Sequence, residues 1–98
     1  MNNREISWGE VRKSLNFTPE EEAQIQLEMD IIQATIDARK KCNLSQRDLS
    51  KKSGIMQPVI ARIESRARSP RVDTLMRMLL PMGYTLRVVP IDRKLLKK

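Results

Sequence analysis

Apolar residues recur at spacings of three and four along most of this chain, and at a spacing of two in one short stretch near its end. The first pattern marks amphipathic helices and the second a half-covered strand. Ser7 followed by Glu10 reads as a capping box opening a short helix, with Trp8, Val11 and Leu15 on one face. Thr18-Pro19-Glu20-Glu21 sets a cap, a proline at the first helical position and acids behind it. The helix it opens extends to about Cys42, with Ile25, Met29, Ile32 and Ile36 inward and Leu27 as a further inward candidate.

Asn43 is placed to end that helix in a left-handed conformation. Ser45 caps a second helix over about 45–53, with Leu49 inward and Gly54 at its end. Ile55 packs, and a third helix restarts at 56–58 and runs to about Ser65, with Pro58 in its first turn. After the loop Arg66-Ala67-Arg68-Ser69-Pro70, a last helix over about 71–81 turns Val72, Leu75, Met78 and Leu79 inward. Pro81 ends or distorts it, and Gly83 closes it.

The stretch 84–90 alternates Tyr84, Leu86 and Val88 with Thr85, Arg87 and Val89 until Pro90 stops it. One strand cannot satisfy its own backbone hydrogen bonds. It calls for a second copy across a two-fold axis, a strand of another protein, or a resting place on the body. The chain is therefore read as all-α, four to five helices with an N-terminal helical extension and one short C-terminal β-strand. Its parts are an extension over 1–30, a helical domain over 31–83, and a strand with a basic tail over 84–98.

Composition narrows the chemistry. The chain has 98 residues, about the length of one domain, no histidine and one cysteine, Cys42. No zinc site, histidine-based catalytic pair or internal disulfide can be assembled from that set. No cofactor is expected, and no glycine-rich phosphate loop or activated nucleophile argues for an enzyme. A lone thiol fits a reducing compartment, and no apolar run reaches a membrane span, so a cytoplasmic protein is expected.

The net charge of +7 is unevenly spread. Residues 1–30 hold three basic side chains against seven acidic ones, a net of −4, and the remainder holds sixteen against five, a net of +11. The basic body suits a polyanion, most simply nucleic acid. The acidic head suits either a basic protein or a solvated helix N-terminus, where Glu20, Glu21 and Glu22 are electrostatically at home.

Two short helices around Gly54 are the layout of a helix-turn-helix DNA reader. Ile55, Ile60 and Ile63 with Leu49 would pin the second helix to the first. Gln57, Pro58, Ala61 and Arg62 would then share the opposite face, free to enter a major groove. Arg62 suits guanine and Gln57 suits adenine, while Ala61 admits close approach. Ser45, Gln46, Arg66, Arg68 and Arg71 are the candidate phosphate contacts.

The stretch from Asp37 to Gly83 resembles the helix-turn-helix domain shared by Cro and phage-repressor (C1-type, XRE-family) proteins. The matching residues include Arg39, Leu44-Ser45-Gln46, Asp48-Leu49, Gly54-Ile55, Gln57, Ile60, Arg62-Ile63-Glu64 and Asp73-Thr74-Leu75. The resemblance implies a lambda-repressor-like fold and a structural ion pair between Arg39 and Glu64. Pro58, Met56, Arg66, Arg71 and Pro81 depart from the family pattern, and they blur where the recognition helix begins.

The extension before this domain and the Gly83-Tyr84-Thr85-Leu86-Arg87-Val88-Val89-Pro90-Ile91-Asp92 run after it resemble type II antitoxins of the HigA-type and HipB-like groups. That resemblance implies a homodimer on a palindromic operator in double-stranded DNA, repressing its own operon. It further implies neutralisation of a small basic toxin, in the manner of an mRNA-cleaving ribonuclease of HigB type, in a heterotetramer with two toxins. Trp8, Val11, Leu15, Phe17, Glu20, Glu21 and Glu22 are the candidate toxin contacts, unless the aromatics staple the extension to the body. A stand-alone repressor with no toxin is the alternative.

Overall fold

The computed structural model describes residues 16–91. The short helix expected around Trp8, Val11 and Leu15, and the basic tail, lie outside those residues. Among the described residues four α-helices follow one another: α1 Pro19–Lys41, α2 Gln46–Ser53, α3 Gln57–Glu64 and α4 Val72–Leu79, the last running into a 3-10 turn at Leu80–Met82.

Each helix boundary has a local cause. Thr18 Oγ1 accepts the Glu21 N–H at 3.1 Å while Glu21 Oε1 accepts the Thr18 N–H at 2.9 Å, a complete capping box at the start of α1. Arg39, Lys40 and Lys41 close α1 where the helix dipole favours cations, and Asn43 follows at φ +57°. α4 passes into the 3-10 turn because Pro81 has no N–H to continue the α ladder, and Gly83 closes the turn at φ +88°.

The core lies where α1, α2, α3 and α4 converge. Leu49, Ile60 and Met78 are fully buried, with Ile32, Ile55, Ile63, Leu79 and Met82 around them. Ala38 and Thr35 are also buried in α1, and the Thr35 hydroxyl donates to the Ile31 carbonyl at 2.8 Å. A hydroxyl satisfied one turn back within its own helix can be buried at little cost. The Cys42 thiol is half-buried and donates to the Met82 carbonyl at 3.6 Å, tying the end of α1 to the 3-10 turn.

Burial in α1 begins at Ile32; from residue 19 to 31 no position is fully covered. The first three turns therefore stand against the loop after α3 and not within the core.

Three expectations need correction. Leu27 and Val72 face outward, 60% and 69% exposed. Leu27 lies two residues from both Ile25 and Met29, on the opposite side of a 3.6-residue turn. Val72 is the first residue of α4 and stands ahead of the face set by Leu75, Met78 and Leu79. The described residues contain no β-strand: 84–91 runs without regular structure, because a ladder needs a second strand and the described residues supply none. Within this stretch Leu86 turns back onto the core, while Tyr84, Val88, Val89 and Ile91 are exposed.

Candidate nucleic-acid interface

The pair α2–α3 is built from two short helices and one left-handed glycine. Ser45 Oγ accepts the Asp48 N–H at 3.0 Å and Asp48 Oδ2 accepts the Ser45 N–H at 3.0 Å. The hydrogen bond from the Ser45 backbone, followed by that of its side chain, holds the Asp48 carboxyl below its ordinary value. Gly54 ends α2 at φ +76°, a conformation that any side chain would strain. Its carbonyl accepts a long hydrogen bond of 3.4 Å from Arg77 of α4.

On α3, Ile60, Ile63 and Glu64 face inward. Gln57 and Ala61 are half-exposed, and Pro58 and Arg62 are exposed, so these four share the outer face. A helix mounted in this way presents one turn and a half of side chains to a groove wide enough for a single helix.

A chain of hydrogen bonds runs from that outer face into the core. Arg39 Nε and Nη2 grip the Glu64 carboxylate at 2.7 and 2.8 Å, and Arg39 Nη1 donates to the Leu44 carbonyl at 2.8 Å. Gln46 Nε2 donates to Glu64 Oε1 at 2.9 Å, and Gln57 Nε2 donates to Gln46 Oε1 at 2.9 Å. A carboxylate only accepts, so it obliges Gln46 to turn its NH2 inward and its oxygen towards Gln57. Gln57 must then spend one N–H on Gln46. It keeps Oε1 and a second N–H, the donor–acceptor pair that matches the N7/N6 edge of adenine. The Glu64 hydrogen bond in turn raises the Arg39 guanidinium further above its usual range, against the opposing effect of burial.

The expected phosphate contacts divide into engaged and open side chains. Gln46 has both ends of its amide occupied within this network, so it orients Gln57 instead of reaching outward by its side chain. Arg66 sits at φ +64° and turns back to the Glu64 carbonyl at 3.3 Å and Gln33 Oε1 at 3.0 Å. Arg71 pairs with Asp73 at 3.1 Å, both well exposed. Arg68 is exposed, and Ser45 lies exposed at the head of α2. Sequence reasoning did not single out Arg47, Lys51 and Lys52, exposed along α2, or Arg77 beside the turn. It also missed the orienting role of Gln46. The seven-residue spacing of Gln57 and Glu64 puts them on one line along α3, at the edge between its inner and outer faces, but nothing along the chain ties Gln46 to that line.

Of the expected toxin contacts, Trp8, Val11 and Leu15 lie outside the described residues. Phe17 is half-buried, Glu20 is exposed, Glu22 is half-exposed, and Glu21 is held in the α1 cap. Among the described residues no cluster of His, Cys, Asp or Glu could hold a metal ion, and no helix is long and apolar enough to cross a membrane.

This is the architecture of a helix-turn-helix module: a capped positioning helix, a glycine turn, and a second helix with an apolar inner face and a polar outer one. Residues 36–89 match the family model described as "Helix-turn-helix", and the chain belongs to that family, in its XRE-type branch. An uncharacterised HTH-type transcriptional regulator of Haemophilus influenzae is 36% identical over 88 residues, 90% of this chain and 89% of that protein. Antitoxin HigA1 of Mycobacterium tuberculosis is 34% identical over 59 residues, which are 60% of this chain but 40% of that protein. A solved structure described as "Toxin-Antitoxin module from Streptococcus pneumoniae" is 40% identical, covers 92% of this chain and 100% of its own, and superposes with a TM-score of 0.63.

Proposed function

We propose that this protein is the antitoxin of a type II toxin–antitoxin pair, binding DNA through α3 and a small basic toxin through its N-terminal extension, and acting in the cytoplasm. The similarity to the streptococcal toxin–antitoxin chain, over 92% of the present sequence, carries this reading. It spans the extension as well as the helix-turn-helix. Residues 31–83 read DNA, residues 1–30 face the toxin, and residues 84–98 join two copies.

At the operator, Gln57 and Arg62 contact base edges, with Pro58 and Ala61 in close approach. Ser45 and Arg68 touch phosphate, with Arg66 and Arg71 able to do so on leaving Gln33 and Asp73. Two copies give a palindromic site with half-sites about one helical turn apart. The copies meet at the exposed apolar side chains of Tyr84, Val88 and Val89, with Leu86 anchoring this segment to each body.

On the toxin side, Glu20 and Glu22 supply charge opposite to that of an RNA-binding ribonuclease of HigB type, and Trp8, Val11, Leu15 and Phe17 supply apolar anchors. A heterotetramer with two toxins follows from a dimer with one extension per copy. The operon that encodes the pair is repressed by its own product.

The similarity to an HTH-type regulator of Haemophilus influenzae over 89% of that protein favours a second reading, a repressor without a toxin. Affinity purification of the tagged protein at native level in its own host, with mass spectrometry, separates the two. A stoichiometric small basic protein is expected. A clean homodimer at low salt would overturn the antitoxin reading in favour of the repressor.

A further inference from the structure

Met56 is the N-cap residue of α3, makes no capping hydrogen bond by its side chain, and is 69% exposed. α1 and α2 open on complete capping boxes, but α3 has little need of one. Pro58 has no N–H, and Val59 and Ile60 give theirs to the Met56 carbonyl at 2.9 and 3.2 Å. Little is left at this helix start for a side chain to cap. The Met56 side chain therefore serves neither a cap nor the core.

Its exposure falls where a helix of this kind does its reading. The residues at the N-terminal end of a recognition helix are those that reach base edges. Met56 and Pro58 flank Gln57 there, and both are exposed. Neither side chain can donate a hydrogen bond, and the thioether is only a weak acceptor. Gln57, between them, is anchored by its bond to Gln46. On the base edges of the major groove, the apolar partner open to such a side chain is the methyl group at C5 of thymine. A 5-methylcytosine carries the same group at the same position.

We infer that Met56 reads a pyrimidine C5-methyl, in thymine or in 5-methylcytosine, at the base pair next to the one that Gln57 reads. The inference rests on the reading of α3 as the DNA-binding helix. Consecutive Cα atoms lie about 3.8 Å apart and successive bases of one strand about 3.4 Å, so a side chain one residue from Gln57 meets a base one step away. Methionine is unbranched, with three rotatable bonds, so its end can settle against a methyl group whose position the backbone does not fix closely. A base without the methyl loses the contact and gains nothing in its place. Covering one such group is worth about fourfold in affinity.

The test uses the full-length protein and the DNA that it selects from random sequence. Each thymine of the selected site is replaced in turn by deoxyuridine, which removes the methyl and keeps every hydrogen-bonding group. In a second set each cytosine is replaced by 5-methylcytosine. Gln57→Ala locates the base that Gln57 reads. Deoxyuridine one step from that base should weaken binding about fourfold, and Met56→Ser should bind the thymine and deoxyuridine forms equally. That variant should unfold at the same urea concentration as the unaltered chain. Met56→Leu, which keeps an apolar side chain, should retain the preference.

A loss on deoxyuridine places the methyl on thymine. A gain on methylating a cytosine at that step, without such a loss, places it on that base instead. Binding that ignores both changes, or a preference that survives in folded Met56→Ser, overturns the inference and leaves the reading of α3 intact. Failure to select any sequence overturns both.

Discussion

Replacing Glu64 with Ala should unfold this protein more readily than any surface change, and should blind it to its operator as well. Glu64 receives three hydrogen bonds, from Arg39 Nε at 2.7 Å, Arg39 Nη2 at 2.8 Å and Gln46 Nε2 at 2.9 Å. The side chains of Arg39 and Glu64 are 11% and 6% exposed, so water replaces only part of what is lost. Glu64→Ala leaves the guanidinium with the Leu44 carbonyl alone, and uncompensated buried charge costs about 3–5 kcal/mol. Domains of this kind hold together by about 5–15 kcal/mol, so the loss is a large share.

With a urea slope of about 1–3 kcal/mol per M, the unfolding midpoint should fall by at least about 1 M. Asp73→Ala is the control. It breaks the Arg71–Asp73 pair, whose side chains are 76% and 65% exposed, and exposed pairs of that kind contribute little to stability. Urea titrations followed by circular dichroism at one pH and salt concentration suffice. A Glu64→Ala midpoint no lower than that of Asp73→Ala would refute the argument. Arg39→Met with Glu64→Leu separates stability from function. An apolar pair in place of a buried ion pair is often neutral or stabilising, so the fold should survive while Gln46 no longer fixes the Gln57 amide.

Other consequences follow from the same geometry. Gln46→Ala should cost about 1.5–3 kcal/mol through the lost hydrogen bond to the buried Glu64 carboxylate, less than Glu64→Ala, and weaken preference for adenine at the Gln57 position, read by selection from random DNA; an unaltered preference would show that Gln57 orients itself. Arg62→Ala should cost about 1–3 kcal/mol on operator DNA and much less on random DNA, and equal losses in titrations on both would show that Arg62 reads no base. Arg68→Ala should weaken binding on every sequence and flatten the salt dependence by about one ion; an unchanged slope would remove Arg68 from the phosphate contacts. Acid should destabilise the fold through Asp48, whose carboxyl is held below its ordinary value of 3.8 by the Ser45 hydrogen bonds. A folded-state value below the unfolded one adds stability that is present above the unfolded value and lost as pH falls through the folded one. Asp48→Asn should therefore flatten the pH dependence of unfolding below about pH 4, and an unchanged acid limb would place that sensitivity elsewhere.

The helical domain was legible because its signals are local. Ser45, Gly54 and the triad Leu49, Ile60 and Ile63 each announce a cap, a turn or a buried face within a few residues, and the four helices fall where those signals put them. Thr35 and Ala38 were not anticipated in the core, because small or polar side chains carry little hydrophobic signal and are buried by what crosses above them. The outward turn of Leu27 follows from helical phase, which the stronger Ile25–Met29–Ile32 stripe already fixed. The strand expected at 84–90 depended on a partner strand that the described residues do not contain. At the candidate site, the outer face of α3 could be read from spacing alone. The engagement of Gln46 could not, because it arises where two helices meet and a buried carboxylate dictates which end of each amide faces inward.

The most direct measurement is the occupancy of host DNA by the tagged protein, mapped by crosslinking and sequencing beside the Gln57→Ala/Arg62→Ala variant. The account predicts one dominant palindromic site upstream of the protein's own gene, lost in the variant while both proteins stay folded. Occupancy that is absent there, or equal for both proteins, would contradict the claim that α3 reads the operator.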